Sequence, residues 1–270
     1  MLELIFVIVI LGIVSSIGAE IIANIYESYI VQRAQHRASL KTEIAATQIA
    51  NRLSYAIPGT VVRRVDTNTT AEDINDIPAA NVDTYDVLQW VGADADSFKS
   101  ITSNADRLPG WSGFCDINES ASPLGGTSIS TPGSNLGLAS TIITNLGGNI
   151  DNAAIYYEAN KTLQSRNIAS AGTAGTTIAL DNTLVNISEH YKLAWTSYAL
   201  VVDDAGTLAL HYDFTPTRAI DVAGSNSILL RNVSTFKFKG DGRTIRFKIC
   251  VDENIGEDFN ITICKEKAVF

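Results

Sequence analysis

No lysine or arginine precedes Arg33, and the only charged group ahead of the first apolar run is an acid, Glu3. A secretory signal peptide opens on a basic segment and ends its short apolar run at a small-residue cleavage site. The basic segment is missing here, which argues against that reading. Histidine is scarce: His36, His190 and His211 are scattered without the spacing of a zinc site. Cysteine is limited to Cys115, Cys250 and Cys264, two of them 14 apart near the C-terminal end. That pattern fits an oxidising compartment with one disulfide and one spare thiol. No phosphate loop, G-x-S-x-G elbow, His-metal pair or Cys-His dyad occurs. The expectation is therefore no enzyme and no cofactor. A formal charge of −9 argues against general binding of nucleic acid or anionic lipid, both of which need basic patches.

From Leu4 to Ala19 the chain runs uncharged as LIFVIVILGIVSSIGA, and the apolar character resumes after Glu20. That is close to the ~20 residues a helix needs to cross a bilayer core. Helical character then persists. Between Tyr26 and Ile57 there is neither proline nor glycine, and Ala34, Ala38, Ala45, Ile49, Leu53 and Ala56 form a narrow apolar stripe. Pro58 and Gly59 predict a stop at Ile57. A continuous helix to that point would be ~85 Å long, its first part (1–25) suited to lipid and its second (26–57) amphipathic. Gly12 and Gly18 sit inside the apolar part. They suit either local melting or close approach of a second helix, aided by Ser15 and Ser16.

The stretch MLELIFVIVILGIVSS closely resembles the N-terminus of type IV pilins and type II secretion pseudopilins. In that family a glutamate follows an opening Phe-Thr and two apolar residues, and an apolar helix comes next. Glu3 matches that glutamate, flanked by Leu2 and Leu4. The basic leader, the glycine before the cleavage point and the Phe-Thr pair do not appear. The expectation is a start assigned at an internal methionine, with trimming as the alternative. The resemblance covers about the first 57 residues; the rest carries no family motif. It implies a minor pilin or pseudopilin, processed by a prepilin peptidase, N-methylated, held in the bacterial inner membrane with a periplasmic domain. An assembly platform would then draw it with other pilin subunits into a pilus or pseudopilus. It also implies a role for Glu3. An unpaired carboxylate at membrane depth costs several kcal/mol, and the family's acid is neutralised by the free α-amine of a neighbouring subunit, which sets axial register. The alternative is that Glu3 lies solvated at headgroup level.

Beyond Pro58 the reading is an extracytoplasmic domain. Residues 58–192 are expected to be irregular, with a Ser/Gly/Thr/Asn-rich loop at 119–150 and a small-residue patch at 169–177. From 193 to 270 the signal is antiparallel β. Strands at 198–202 and 207–214 flank Asp203-Asp204-Ala205-Gly206, STFKFKGDGRTIRFKI alternates about a turn at 240–243, and 259–264 alternates again. The fold class is thus α+β and pilin-like: a long N-terminal helix on a C-terminal antiparallel sheet with a loop-rich middle. Cys250 and Cys264 fall on the face opposite their apolar neighbours, within bridging range if their strands pair. The pair looks like the C-terminal disulfide of many pilins, closing an acidic loop at 251–263. Free thiols remain the alternative.

Asp252, Glu253, Glu257 and Asp258 are weak candidate calcium ligands, as in some pseudopilins; EF-hand spacing is missing, and a solvated acidic loop is the favoured reading. Six N-x-S/T tripeptides occur, at Asn68, Asn118, Asn160, Asn186, Asn232 and Asn260. Four have an acid two positions earlier (Asp66, Asp116, Glu158 and Asp258), which resembles the extended acceptor of bacterial N-oligosaccharyltransferases. Loop composition is the other source of such a pattern. The rival functions are a non-polymerising membrane-anchored binding protein or adhesin and an anchored enzyme.

Overall fold

The computed structural model describes residues 2–77, 85–103, 106–119, 128–157, 166–167, 175–180, 188–216, 220, 224–255 and 260–270. Its first element, α1 (Leu2–Leu53), is one unbroken helix of 52 residues, ~78 Å long. Over Leu4–Ile30 its large apolar side chains are exposed, whereas Ala34, Ala38, Ala45, Ile49 and Leu53 are buried. The expected stripe is therefore the face that packs, joined by Thr42, whose hydroxyl is spent on the Ala38 carbonyl at 2.8 Å. Alanines on this face let the helix backbone lie close to a sheet. The helix stops four residues short of the expected Ile57. Ala56 is drawn into a bridge with Gly92 and Ile57 N–H donates to the Val91 carbonyl at 2.9 Å. Strand pairing therefore claims these residues before Pro58 acts.

Two sheets cover the second half of α1. The larger is antiparallel and has six strands: β1 (Val62–Arg64), β2 (Glu72–Asp73), β3 (Val87–Gly92), β9 (Thr196–Val202), β10 (Leu208–Phe214) and β11 (Asn226–Leu230). Their order is β11-β10-β9-β3-β1-β2. The smaller, β12 (Val233–Asp241), β13 (Thr244–Asn254) and β14 (Asn260–Val269), is a meander in sequence order. Both hairpins read from the sequence are present, β9–β10 and β12–β13. Ala45, Ile49, Leu53, Leu88, Trp90, Leu200, Phe247 and Ile249 meet in one core between helix and sheets. Polar ties fix the helix on the small sheet: Glu43 receives hydrogen bonds from Lys267 and is paired with Lys265, and Arg37 pairs with Glu253. The Lys267 hydrogen bond holds the Glu43 carboxyl below its usual range.

The middle of the chain differs from the expected irregular region. Besides β1–β3 it carries α2 (Ala95–Lys99), β4 (Ser128–Ser130), α3 (Leu136–Asn145), β5 (Ala154–Tyr157), β6 (Arg166–Asn167), β7 (Thr177–Ala179) and β8 (Tyr191–Ala194). β6-β5-β8 form one small sheet and β4-β7 another. With α3 they enclose a second core of Trp111, Ile129, Leu136, Ile143, Ile155, Tyr157 and Leu193. The strands were missed because β3 and β5 are buried at every position. A strand covered on both faces has no alternation to read.

Candidate functional site

Glu3 lies in the first turn of α1, where an acid complements the helix dipole. Both Glu3 and Leu4 are exposed, and Leu2 begins the helix. The most apolar 18-residue window of Glu3–Leu53 has no share buried among the described residues. By length and composition this helix can cross a membrane. An added β-carbon at Gly12 or Gly18 would meet nothing within 4 Å, so their smallness serves no contact inside the chain.

Cys250 and Cys264 are direct register partners on β13 and β14, joined as a disulfide with 4.0 Å between Cα atoms. The ladder continues past the bond through Val251↔Ile263 to Asn254↔Asn260. The segment expected as an acidic loop is therefore mostly hairpin. Cys115 is buried outside the disulfide, and its sulfur accepts the Tyr157 hydroxyl at 3.6 Å.

Of the calcium candidates, the two described, Asp252 and Glu253, are turned apart. Asp252 and Glu253 are consecutive in a strand and so point to opposite faces. Asp252 accepts the hydroxyls of Ser234 (3.0 Å) and Thr262 (2.7 Å), while Glu253 is held by Arg37. Glu257 and Asp258 lie outside the described residues, and among the described residues no three acidic, histidine or cysteine side chains converge.

Two of the sequons, at Asn68 and Asn118, lie in turns. Asp66 Oδ1 accepts the backbone N–H of Asn68 at 2.7 Å and of Thr69 at 2.9 Å. Asp116 Oδ1 does the same for Asn118 at 2.9 Å and Glu119 at 3.2 Å. Asp73 makes the identical bond to Asn75 at 2.8 Å, in a tripeptide with no hydroxyl residue. The aspartate two before an asparagine thus has a local structural cause, the Asx-turn, that operates with or without a sequon. Asn68, Asn118 and Asn260 are all exposed. Asn232 sits at a φ of 58° in the turn into β12. Asn160 and Asn186, with Glu158, lie outside the described residues.

One site was not read from the sequence at all. At the far end of α1 a cleft of about 630 Å³ opens between that helix, α2 and the β9–β11 side of the large sheet. Gln48, Asn51 and Arg52 reach it from α1, Tyr55 from the turn just after that helix, and Asp96 and Lys99 from α2. Its sheet side carries Tyr198, Tyr212 and Leu229, with Trp195 at the head of β9. The Arg52 guanidinium lies over the Tyr198 ring at 5.2 Å, and the Lys99 ammonium over the Tyr55 ring at 5.0 Å. Lys99 also donates to the Tyr55 hydroxyl at 3.0 Å, a bond that raises its pKa. Behind the surface, Trp90 stacks on Tyr198 at 5.7 Å between centroids, and burial pushes the Tyr198 phenol up. Asp94 caps α2 through Ser97 N–H at 3.2 Å. Its Oδ2 is buried with no hydrogen-bond partner among the described residues. These groups come from positions 48 to 229, so no local motif announces them. The nearest sequence signal is Trp195-x-x-Tyr198 at the start of a strand. No family model, curated protein or solved structure matches the chain.

Proposed function

We propose that the chain is a structural subunit of the type IV pilin or type II secretion pseudopilin class, a minor subunit that assembles through its N-terminal helix. The observation that carries this reading is the division of α1. One continuous helix is buried against a domain from Ala34 onward, yet over the ~40 Å from Leu4 to Ile30 its large apolar side chains are exposed, with an uncharged run from Leu4 to Ala19 behind Glu3. A simple anchor has no need of a rigid join between its membrane half and its domain. A subunit that must pack its helix into a bundle of copies while displaying its domain outside does need one. The resemblance of MLELIFVIVILGIVSS to the family, with Glu3 at the family's acid, supports the same conclusion.

The test is incorporation. Glu3→Ala in the native host is expected to leave the protein made and membrane-bound but to remove it from sheared filaments, measured as copy number by quantitative mass spectrometry. Undiminished incorporation would defeat the assembly role of Glu3, and absence of the unaltered chain from every filament fraction would defeat the subunit reading itself. The second reading, an anchored extracytoplasmic binding protein that never polymerises, is favoured by one observation, the aromatic cleft. In that case the chain stays in the membrane fraction with or without Glu3.

A further inference from the structure

We propose that the cleft at the far end of α1 binds an uncharged oligosaccharide, stacked on its aromatic side chains and held by a rim of mixed donors and acceptors. The volume, about 630 Å³, lies in the range of small-ligand sites. Four aromatic side chains line it, Tyr55, Trp195, Tyr198 and Tyr212; Lys99 and Arg52 lie over the rings of Tyr55 and Tyr198, so the stacking is assigned to Trp195 and Tyr212. Flat rings with a polar tip match a sugar ring, which presents apolar C–H faces and a hydroxyl edge.

The aromatic surface is braced from behind. Tyr198 rests on the fully buried Trp90. A β-carbon at Gly148 would stand 2.4 Å from the Trp195 indole, so the glycine backbone packs directly against that ring. Bracing of this kind lowers the entropy cost of ordering the site when a ligand arrives.

The rim selects the charge of the ligand. Arg52 and Lys99 are offset by Asp96 and by Asp94 at the cleft wall, so neither an anion nor a cation meets a one-signed field. Gln48 and Asn51, three apart on the exposed face of α1, each offer a donor and an acceptor from one amide. A ligand that needs both in quantity, and carries no charge, is a polyol. Both cations are laid over tyrosine rings, which leaves N–H groups at the rim. A peptide segment or a second copy of this chain would bring apolar side chains to be buried in pockets, whereas the rim of this cleft is set with Gln48, Asn51, Arg52, Asp96 and Lys99. The inference goes beyond filament assembly and stands whether or not the chain polymerises.

The experiment uses the full chain in lipid nanodiscs prepared without maltoside or glucoside detergents, whose sugar headgroups would compete. Maltotetraose, cellotetraose and chitotetraose are titrated by calorimetry and tryptophan fluorescence, alongside a printed array of neutral glycans. A hyaluronate tetramer serves as the anionic comparison. At least one neutral glycan is expected to bind with a Kd of about 1 mM or tighter. Asn51→Ala and Arg52→Ala, both exposed helix positions that leave the core intact, should each weaken it several-fold. Trp195→Ala should weaken it at least about tenfold, and Lys248→Ala on the other sheet should have no effect. The proposal is overturned if no neutral glycan binds, if only the anionic tetramer or a peptide does, or if binding survives all three cleft variants.

Discussion

Gly92 lies so close to Tyr198 that a β-carbon on it would stand 2.6 Å from the tyrosine Cε2. The contact links the end of β3 to the cleft, because the same ring is stacked on Trp90 and covered by Arg52. Tyr198 therefore has little room to yield. Gly92→Ala is expected to destabilise the domain by about 1–3 kcal/mol, the usual cost of overpacking, and to disturb the cleft beyond the loss of stability. Urea unfolding gives the first quantity. The Arg52→Ala variant separates the second, since with the guanidinium gone the ring can tilt outward and the glycine substitution should cost less in that background.

The outer face of the small sheet sets like charges opposite one another: Lys237 faces Lys248, and Lys239 faces Arg246. All four are exposed. Directly opposed like charges oppose strand pairing, and opposite charges favour it, by a few tenths to about 1 kcal/mol. Lys237→Glu should therefore raise the unfolding midpoint, by an increment that shrinks as salt is added. A variant no more stable than the parent at low ionic strength would show that the lysines already splay apart.

Asp94 gives a pH signature. Burial raises its carboxyl pKa above the ordinary carboxylate range. An acid whose pKa is raised by folding holds its proton in the native state at pH values where the unfolded chain has released it. Stability therefore falls as pH rises from the unfolded pKa, near 3.9, through the folded one, and the loss is complete above it. Asp94→Asn keeps an oxygen for the Ser97 N–H and remains a good helix cap. Its melting temperature should match the parent's below about pH 3 and exceed it increasingly toward pH 7. Asp86 and Asp213, also raised by burial, bend both curves alike and cancel in the difference. A difference that does not change with pH would mean that Asp94 titrates normally.

What could be read in advance follows from where periodicity survives. The stripe on α1 was legible because only one face of that helix is covered. The β12–β13 hairpin was legible because Phe247 and Ile249 alternate with exposed Arg246 and Lys248. The second core was not, because Ile155, Tyr156 and Tyr157 are all buried and the sequence there is a plain apolar run. The α3 segment hides for a different reason. It begins within a Ser/Gly/Asn-rich stretch whose Asn135 is the helix cap, accepting Leu138 N–H, so a residue that reads as loop is the signal for a helix start. The cleft was illegible for want of any local pattern. Arg52 and Tyr198 meet only once α1 lies on β9, and no spacing along the chain encodes that meeting.

The disulfide tests which state of the chain a cross-link acts upon. Cys250 and Cys264 are flanked by ladder pairs on both sides, Ile249↔Lys265 and Val251↔Ile263, so the hairpin does not depend on the bond for its registration. Reduction should therefore leave the folded spectrum unchanged in the absence of denaturant. The effect belongs to the unfolded chain, which regains the freedom lost by closing a loop between residues 14 apart, for about 3 kcal/mol. Parallel urea curves of oxidised and thiol-reduced protein should thus share their native baseline but separate in midpoint by that amount. The buried Cys115, which is outside the disulfide, does not enter this balance, and Cys115→Ala should preserve the separation. If reduction instead altered the native baseline, the bond would be holding β13 and β14 together in the folded state, and the ladder alone would be too weak to do so.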